Sequence, residues 1–354
     1  MLLSMACNHL VGFPFIAMGI FYQWLMNAAY GTYGFLSNSE GFFFLAGLTA
    51  GIVYGRILLQ GKEEEVKRRA WKRVWQMYSI YALLLIGLAL FVAFNREYLA
   101  NWKELHSLIW VWVDQPGVHY FLDHPFSGCA MGLVFLYQLS FVDLFPVYIV
   151  FLALTPWLLN RLKNGQVFYL LAASILCYIG SQYDPGIIEQ LFAAYLPVKF
   201  GWFRISSVQI LFVSGLTLGY FYIRGQLPSV HRIFLSALIL LVAIYGLLAL
   251  TQGNVHSCHC LNIFRLGFFS FKAYGAFLLS RFLTFRWLAL LGKHSLAVFS
   301  YHIALTFFLI FYLQEISALP MPLKFAGLGL ALATLWLPAY YFERKKAKAL
   351  LVAT

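Results

Sequence analysis

Glu40 is the first charged side chain in the sequence, and the next is Arg56. As an α-helix, the sixteen steps between them span about 24 Å, roughly the hydrocarbon core of a bilayer. Everything between the two charges is apolar or small. Gly47, Gly51 and Gly55 recur every four residues, with Ala46 and Ala50 beside them. Small residues at that spacing let a second helix backbone approach closely, which is how helices pack in lipid. The stretch therefore reads as a membrane helix with one packed face, an acid at one end and an arginine at the other.

The rest of the chain repeats the pattern. Of its 354 residues, 62% are hydrophobic and only 11% are charged, against about 25% charged in soluble domains. The expected fold is an all-α polytopic membrane protein of about ten transmembrane helices in a single bundle domain, 1–354. The spans fall near 1–20, 41–60, 74–94, 141–159, 165–181, 203–223, 232–251, 264–283, 294–313 and 321–342. Ten-residue alternating strands are absent, which disfavours a barrel. The net charge of +12 does not point to nucleic acid, because the basic residues sit in short loops between apolar runs. Arg56 to Arg73, Arg161 and Lys163, Arg224 and Arg232, Arg281 to Lys293, and Arg344 to Lys348 fall on one side of a ten-span chain. They hold 18 of the 25 Lys and Arg residues. Positive loops stay inside, so both termini are expected in the cytoplasm. The N-terminus lacks the basic start of a secretory signal, and five scattered cysteines form no disulfide framework.

One long loop, 95–140, falls outside. It holds Trp102, Trp110, Trp112, His106, His119, His124, Asp114 and Asp123, with Pro116 and Pro125 breaking it. Such residues form either an interfacial aromatic belt or a sugar contact. Gly128 to Tyr137 is apolar but too short to cross, so it re-enters or lies on the surface. His256-Ser-Cys-His-Cys260 has the residue types of a metal site, but Cys258 and Cys260 are too close for tetrahedral spacing. No metal is expected there. Neither an internal repeat nor a Walker or dinucleotide motif is visible.

Four stretches carry a family resemblance, in order along most of the chain: Phe44-Leu-Ala-Gly with Ala50-Gly-Ile-Val-Tyr-Gly-Arg56 behind Glu40; Asp143-Leu-Phe-Pro-Val-Tyr-Ile-Val150; Gln209-Ile-Leu-Phe-Val-Ser-Gly215; and Leu291-Gly-Lys-His-Ser-Leu-Ala-Val-Phe299 with His302 after it. They resemble the OpgC family, inner-membrane acyltransferases that succinylate periplasmic glucans and are related to the acyltransferase-3 group. The resemblance implies an O-acyltransferase in a bacterial inner membrane. Its donor substrate would be acyl-CoA, with succinyl-CoA the family's founding case, and its acceptor an extracytoplasmic glycan. No bound cofactor is implied, and the surroundings are membrane lipid.

The resembling families place a catalytic histidine in the first span, which falls on His9. Taking a proton from a sugar hydroxyl suits an imidazole near neutrality; a histidine bonded between helices is the structural alternative. Glu40 and Asp143 lie near outer span ends, where either could orient that imidazole or simply cap a helix. Arg56, Lys72, Arg73, Arg161, Arg281 and Arg286 are the inner-face candidates for the phosphates of acyl-CoA. Arg56 also matches the family motif. His302, inside span nine, matches a family position. Lys272, mid-span, is expected to line the acyl pathway or to join a structural ion pair. The start departs from the family, whose members carry Arg and Asp about ten residues before the histidine. Two rival readings follow: a secondary transporter, and a catalytically silent homologue acting as a partner subunit.

Overall fold

The computed structural model describes residues 6, 10, 39–95, 118–139, 142–183, 204–227, 229–252, 263–279, 286–312, 316 and 318–353. These residues divide into two compact units. One is Glu40–Leu266; the other joins Met1–Ser39 to Gly267–Thr354.

The first unit contains α1 (Ser39–Leu59), α2 (Glu63–Phe94), the short α3 (Val118–Asp123) and α4 (Pro125–Leu133), then α5 (Leu144–Lys163), α6 (Val167–Tyr183), α7 (Ile205–Ile223) and α8 (Val230–Gln252). α2 begins eleven residues before the expected span at 74. Its charged opening is helical because its charges pair one turn apart. Lys67 Nζ lies 2.7 Å from Glu64 Oε1, and Arg68 and Arg69 both bind Glu65, which is the spacing that supports a helix. Beyond it, Val74, Met77, Tyr81, Leu85, Ala89 and Val92 form a buried stripe. Trp75, Leu83, Ile86 and Phe94 on the other faces are exposed and equally apolar. An apolar outer surface of this kind is suited to lipid.

The glycine repeat of α1 packs on α7. A methyl group at Gly47 would overlap the Phe212 carbonyl oxygen and lie 2.9 Å from the Leu216 nitrogen. At Gly51 it would overlap the Leu216 oxygen and lie 3.1 Å from the Gly219 Cα. From the other side, Gly215 and Gly219 meet Phe44 and Leu48 in the same way. The contacts advance together along both helices, so α1 and α7 run parallel. Phe151 of α5 stacks on Phe212 at 4.9 Å and meets Phe43 edge-on at 5.9 Å, which places α5 at the same level.

α2 runs against α5. Lys163 Nζ is 2.6 Å from Glu63 Oε1 at one end, and Tyr81 lies against Phe145 further along, at 6.1 Å. α1, α5 and α7 therefore share one direction, and each stops at a glycine with positive φ: Gly61 (76°), Gly165 (77°) and Gly225 (64°). At each, the glycine and the residue after it donate back to carbonyls of the last turn, the glycine stop that closes many helices. α6 and α7 are joined by polar groups. Gln209 Nε2 donates to the Ser174 carbonyl at 2.7 Å while Gln209 Oε1 accepts from Ser174 Oγ at 2.6 Å, and Ser207 Oγ reaches Ser181 Oγ at 3.0 Å.

The apolar segment expected to re-enter or to lie on the surface folds back on α2. Tyr81 donates to the Gly132 carbonyl at 2.8 Å and Tyr78 to the Leu133 carbonyl at 3.2 Å. Gly132 leaves room for Leu85.

α9 (Ile263–Leu279) contains the boundary between the units. The second unit continues with α10 (Arg286–Lys293), α11 (Ser295–Phe311), α12 (Met321–Thr334) and α13 (Trp336–Ala353). Leu10 packs with Ile316, Leu328 and Ala331, and Ala6 with Leu291, Val298, Leu335 and Ala339. Ala6 is thus packed by residues of α10, α11 and α13, and Leu10 by residues of α12 with Ile316. α10 meets α11 at 89°. Trp336 Nε1 donates to the Trp287 carbonyl at 3.2 Å, and Lys293 and His294 both bind Glu343.

Among the described residues, five helices are long and apolar enough to cross a membrane, or six if the bent pair α10–α11 is one span. The expected count of about ten is not reached. Spans 165–181 and 232–251 appear as shorter apolar helices; span 264–283 coincides with the 17 residues of α9. The run 1–20 lies outside the described residues apart from Ala6 and Leu10.

Candidate functional site

The parallel direction of α1, α5 and α7 sorts the charges of the first unit by end. At the starting end, Glu40 opens α1 and is 4% exposed; Asp143 precedes α5 and is 2% exposed. Phe42 of α1 touches Tyr148 of α5 edge-on at 5.3 Å, so the two acids stand at the same end of neighbouring helices. Asp143 occupies the N-cap position, yet its side chain makes no capping hydrogen bond. Its carboxylate instead lies within electrostatic reach of the Tyr81 phenol. Capping does not explain why it is buried. Arg204, at the N-cap of α7, stands at this end too. Sequence reasoning passed over it, although it is the charged residue that opens its apolar run.

The opposite end is basic, and hydrogen bonding separates its cations. Lys67, Arg68, Arg69 and Lys163 are matched by Glu64, Glu65 and Glu63. Arg161 lies over the Trp157 ring at 5.1 Å and donates to Gln166 Oε1 at 2.9 Å. Arg224 lies over Tyr220. Among the described residues, Arg56, Lys62, Lys72 and Arg73 have no carboxylate partner either. Arg56, Lys62 and Lys72 are exposed; Arg73 is half-buried and donates to Gln76 Oε1 at 3.4 Å. An anion reaching this end would meet those four cations unmatched.

In the second unit, His302 is 1% exposed on α11. Its ring lies 5.1 Å from that of Phe299 and hydrogen-bonds the Phe299 backbone, and its own carbonyl accepts from Thr306 Oγ1 at 2.8 Å. His302 falls between Val298 and Leu305 on α11, and those residues belong to the clusters that hold Ala6 and Leu10. His9, between Ala6 and Leu10 in sequence, lies outside the described residues. Lys272 is half-buried on α9. Arg286 opens α10; its side chain and Arg281 lie outside what is described, as do Trp102, His106, Trp110, Trp112, Asp114 and the run His256–Cys260. His124 is exposed against Tyr120 at 5.1 Å.

Of the stretches that carried the resemblance, each has a visible place. The glycines pack α1 on α7, Gln209 joins α6 to α7, and the Lys293-His294 pair fastens α10–α11 to α13 through Glu343.

A family model described as "OpgC protein" matches residues 1–285 and 258–347. Neither a search of curated proteins nor one of solved structures returned a match.

Proposed function

This chain belongs to the OpgC family, and on that premise we propose that it is a membrane O-acyltransferase. The acyl group would pass from cytoplasmic acyl-CoA to an extracytoplasmic glycan, and succinyl is the group the resemblance implies. The observation that carries the reading is family membership over most of the chain. The division of the first unit into an end with buried acids and an end with unmatched cations supports it, because a two-sided reaction needs an anion-binding side and a proton-handling side. In this reading the chain sits in a bacterial inner membrane with both termini in the cytoplasm.

The chemistry is ester formation. The glycan hydroxyl oxygen attacks the thioester carbonyl carbon, the C–S bond breaks, and coenzyme A leaves. His9 takes the hydroxyl proton and returns it to the departing sulfur. Orienting that imidazole and stabilising its cation would fall to a carboxylate, for which Glu40 and Asp143 are the candidates. Arg56, Lys72 and Arg73 would hold donor phosphates; Arg161, Arg281 and Arg286 are the further candidates for them, and Lys272 the candidate for the acyl path.

Lys272, His302 and Asp143 would equally serve a secondary transporter as ion or substrate ligands, since ionisable groups in apolar helices mark such paths. Mass spectrometry of surface glycans with and without the gene separates the two. A new ester on the glycan supports transfer; an unmodified glycan that only changes compartment supports transport. Purified protein that leaves both substrates unchanged would point to the silent partner subunit.

A further inference from the structure

Lys324 is 6% exposed, and among the described residues it is the one lysine or arginine that the fold buries. It stands in the first turn of α12, between Leu323 and Phe325, which are 53% and 49% exposed. The apolar side chains face out and the charged one faces in. Among the described residues Lys324 makes no hydrogen bond and no ion pair. Two ordinary explanations fail. Nineteen steps, about 28 Å, separate Lys324 from Glu343, which binds Lys293 and His294 just ahead of the basic run Arg344–Lys348. Lys324 is therefore at the end of the second unit away from those cations, where the rule that keeps positive loops inside does not call for it. A snorkelling lysine lies along the outside of its helix with its head in water, whereas Lys324 is covered by protein.

The same face of α12 packs against the first apolar segment. Lys324, Leu328 and Ala331 form its buried stripe, at steps of four and three. Leu328 and Ala331 pack with Leu10, while Leu335 and Ala339, one to two turns further on, pack with Ala6. Lys324 continues that line one turn, about 6 Å, beyond Leu328. His9 falls between Ala6 and Leu10 in the sequence, and no acid precedes Glu40. The first apolar segment therefore brings no carboxylate to this face. Glu315, the acid nearest to Lys324 in sequence, lies outside the described residues. A charge within an apolar bundle ordinarily faces a counter-charge, and a carboxylate arriving on a ligand would supply one here.

We propose that Lys324 receives the free carboxylate of a dicarboxylic acyl group, and so selects that group over one of equal length ending in a methyl. The inference rests on the acyl-transfer reading above and adds a specificity residue to it. A carboxylate forms a charge-assisted bond with the ammonium, strengthened by the apolar surroundings. A methyl terminus leaves the buried cation unpaired, which is unfavourable. The one turn between Leu328 and Lys324 is of the order that separates the two ends of a succinyl chain. The thioester can thus stand beside the first apolar segment while the carboxylate reaches the ammonium.

The test uses full-length protein in lipid nanodiscs, with succinyl-CoA and butyryl-CoA as alternative donors and surface glycan extracted from cells lacking the gene as acceptor. The donors differ only in ending on a carboxylate or a methyl, so contacts to coenzyme A cancel in the ratio of their kcat/KM values. The parent should favour succinyl. Lys324→Met should lower succinyl transfer roughly tenfold to a hundredfold, while butyryl transfer holds or rises. Lys324→Arg, which keeps the charge, should keep the preference. Without donor, Lys324→Met should unfold no earlier than the parent, because methionine fills the same stem and leaves no charge to bury. A parent that uses both donors equally, or a Lys324→Met variant with the parent's ratio, overturns the inference and leaves acyl transfer standing. An equal fall with both donors also overturns it. So does early unfolding of Lys324→Met without donor, because a lysine that holds the fold already has a protein carboxylate, with Glu315 the first to test. If the parent transfers neither group, the acyl-transfer reading falls and the inference with it.

Discussion

An imidazole can act as a general base only where it meets the hydroxyl it deprotonates, so the role given to His9 is decided by rate. General-base catalysis contributes about 10²–10⁴-fold, and His9→Gln should lose glycan acylation on that scale while insertion and donor binding persist. Activity within a few-fold of the parent would move the base elsewhere, with His302 the next candidate. Arg56 has its own test. Exposed at the end of α1 with no carboxylate partner among the described residues, it should hold phosphate through its fork. Arg56→Lys should then weaken donor affinity and Arg56→Ala should weaken it more, with topology intact because six further basic residues follow by Arg73. Equal affinity in both variants would leave Arg56 as a topology signal only. Glu40 and Asp143 could be found from the sequence because a carboxylate at the edge of an apolar run is conspicuous.

At the scale of the helices, the α1–α7 seam makes a graded prediction. Gly51→Ala would drive a methyl into the Leu216 carbonyl, which is backbone and cannot rotate away, so it should cost about 1–3 kcal/mol or more. At Gly55 the methyl meets the Ile223 side chain, which can turn, and the cost should be smaller. Gly87→Ala meets nothing within 4 Å and should be neutral or slightly stabilising. Thermal unfolding of the three purified variants checks the order, and Gly51→Ala as stable as Gly87→Ala would refute the seam. The packed face of α1 was legible because glycine spacing is local information. Its partner was not, because nothing in Gly215 and Gly219 names α1. The α6–α7 polar seam stayed hidden for the same reason: Ser174 and Gln209 are 35 residues apart. Several spans lie within a few residues of their expected places, as α1, α5, α7 and α11 show. The helical lead of α2 ahead of the span expected at 74 was not legible, because a charged run reads as loop until its one-turn pairing is recognised.

For the whole molecule, the distribution of basic residues gives a topology that reporter fusions can measure. Residues 61–73 and the C-terminal tail should report as cytoplasmic, and residues 95–127 and 252–262 as exterior. An exterior signal from 61–73 would end the scheme. The first unit is consistent with it: the three glycine stops, at Gly61, Gly165 and Gly225, all lie at the end that carries Arg56, Arg161 and Arg224. The glycine seam has one more consequence. Where α1 and α7 meet, backbone touches backbone and no side chain stands between them to swing aside. An acyl chain or a sugar cannot slip through that line without prising two helices apart. A ligand that crossed the first unit in the proposed reaction would have to pass beside that line, not through it.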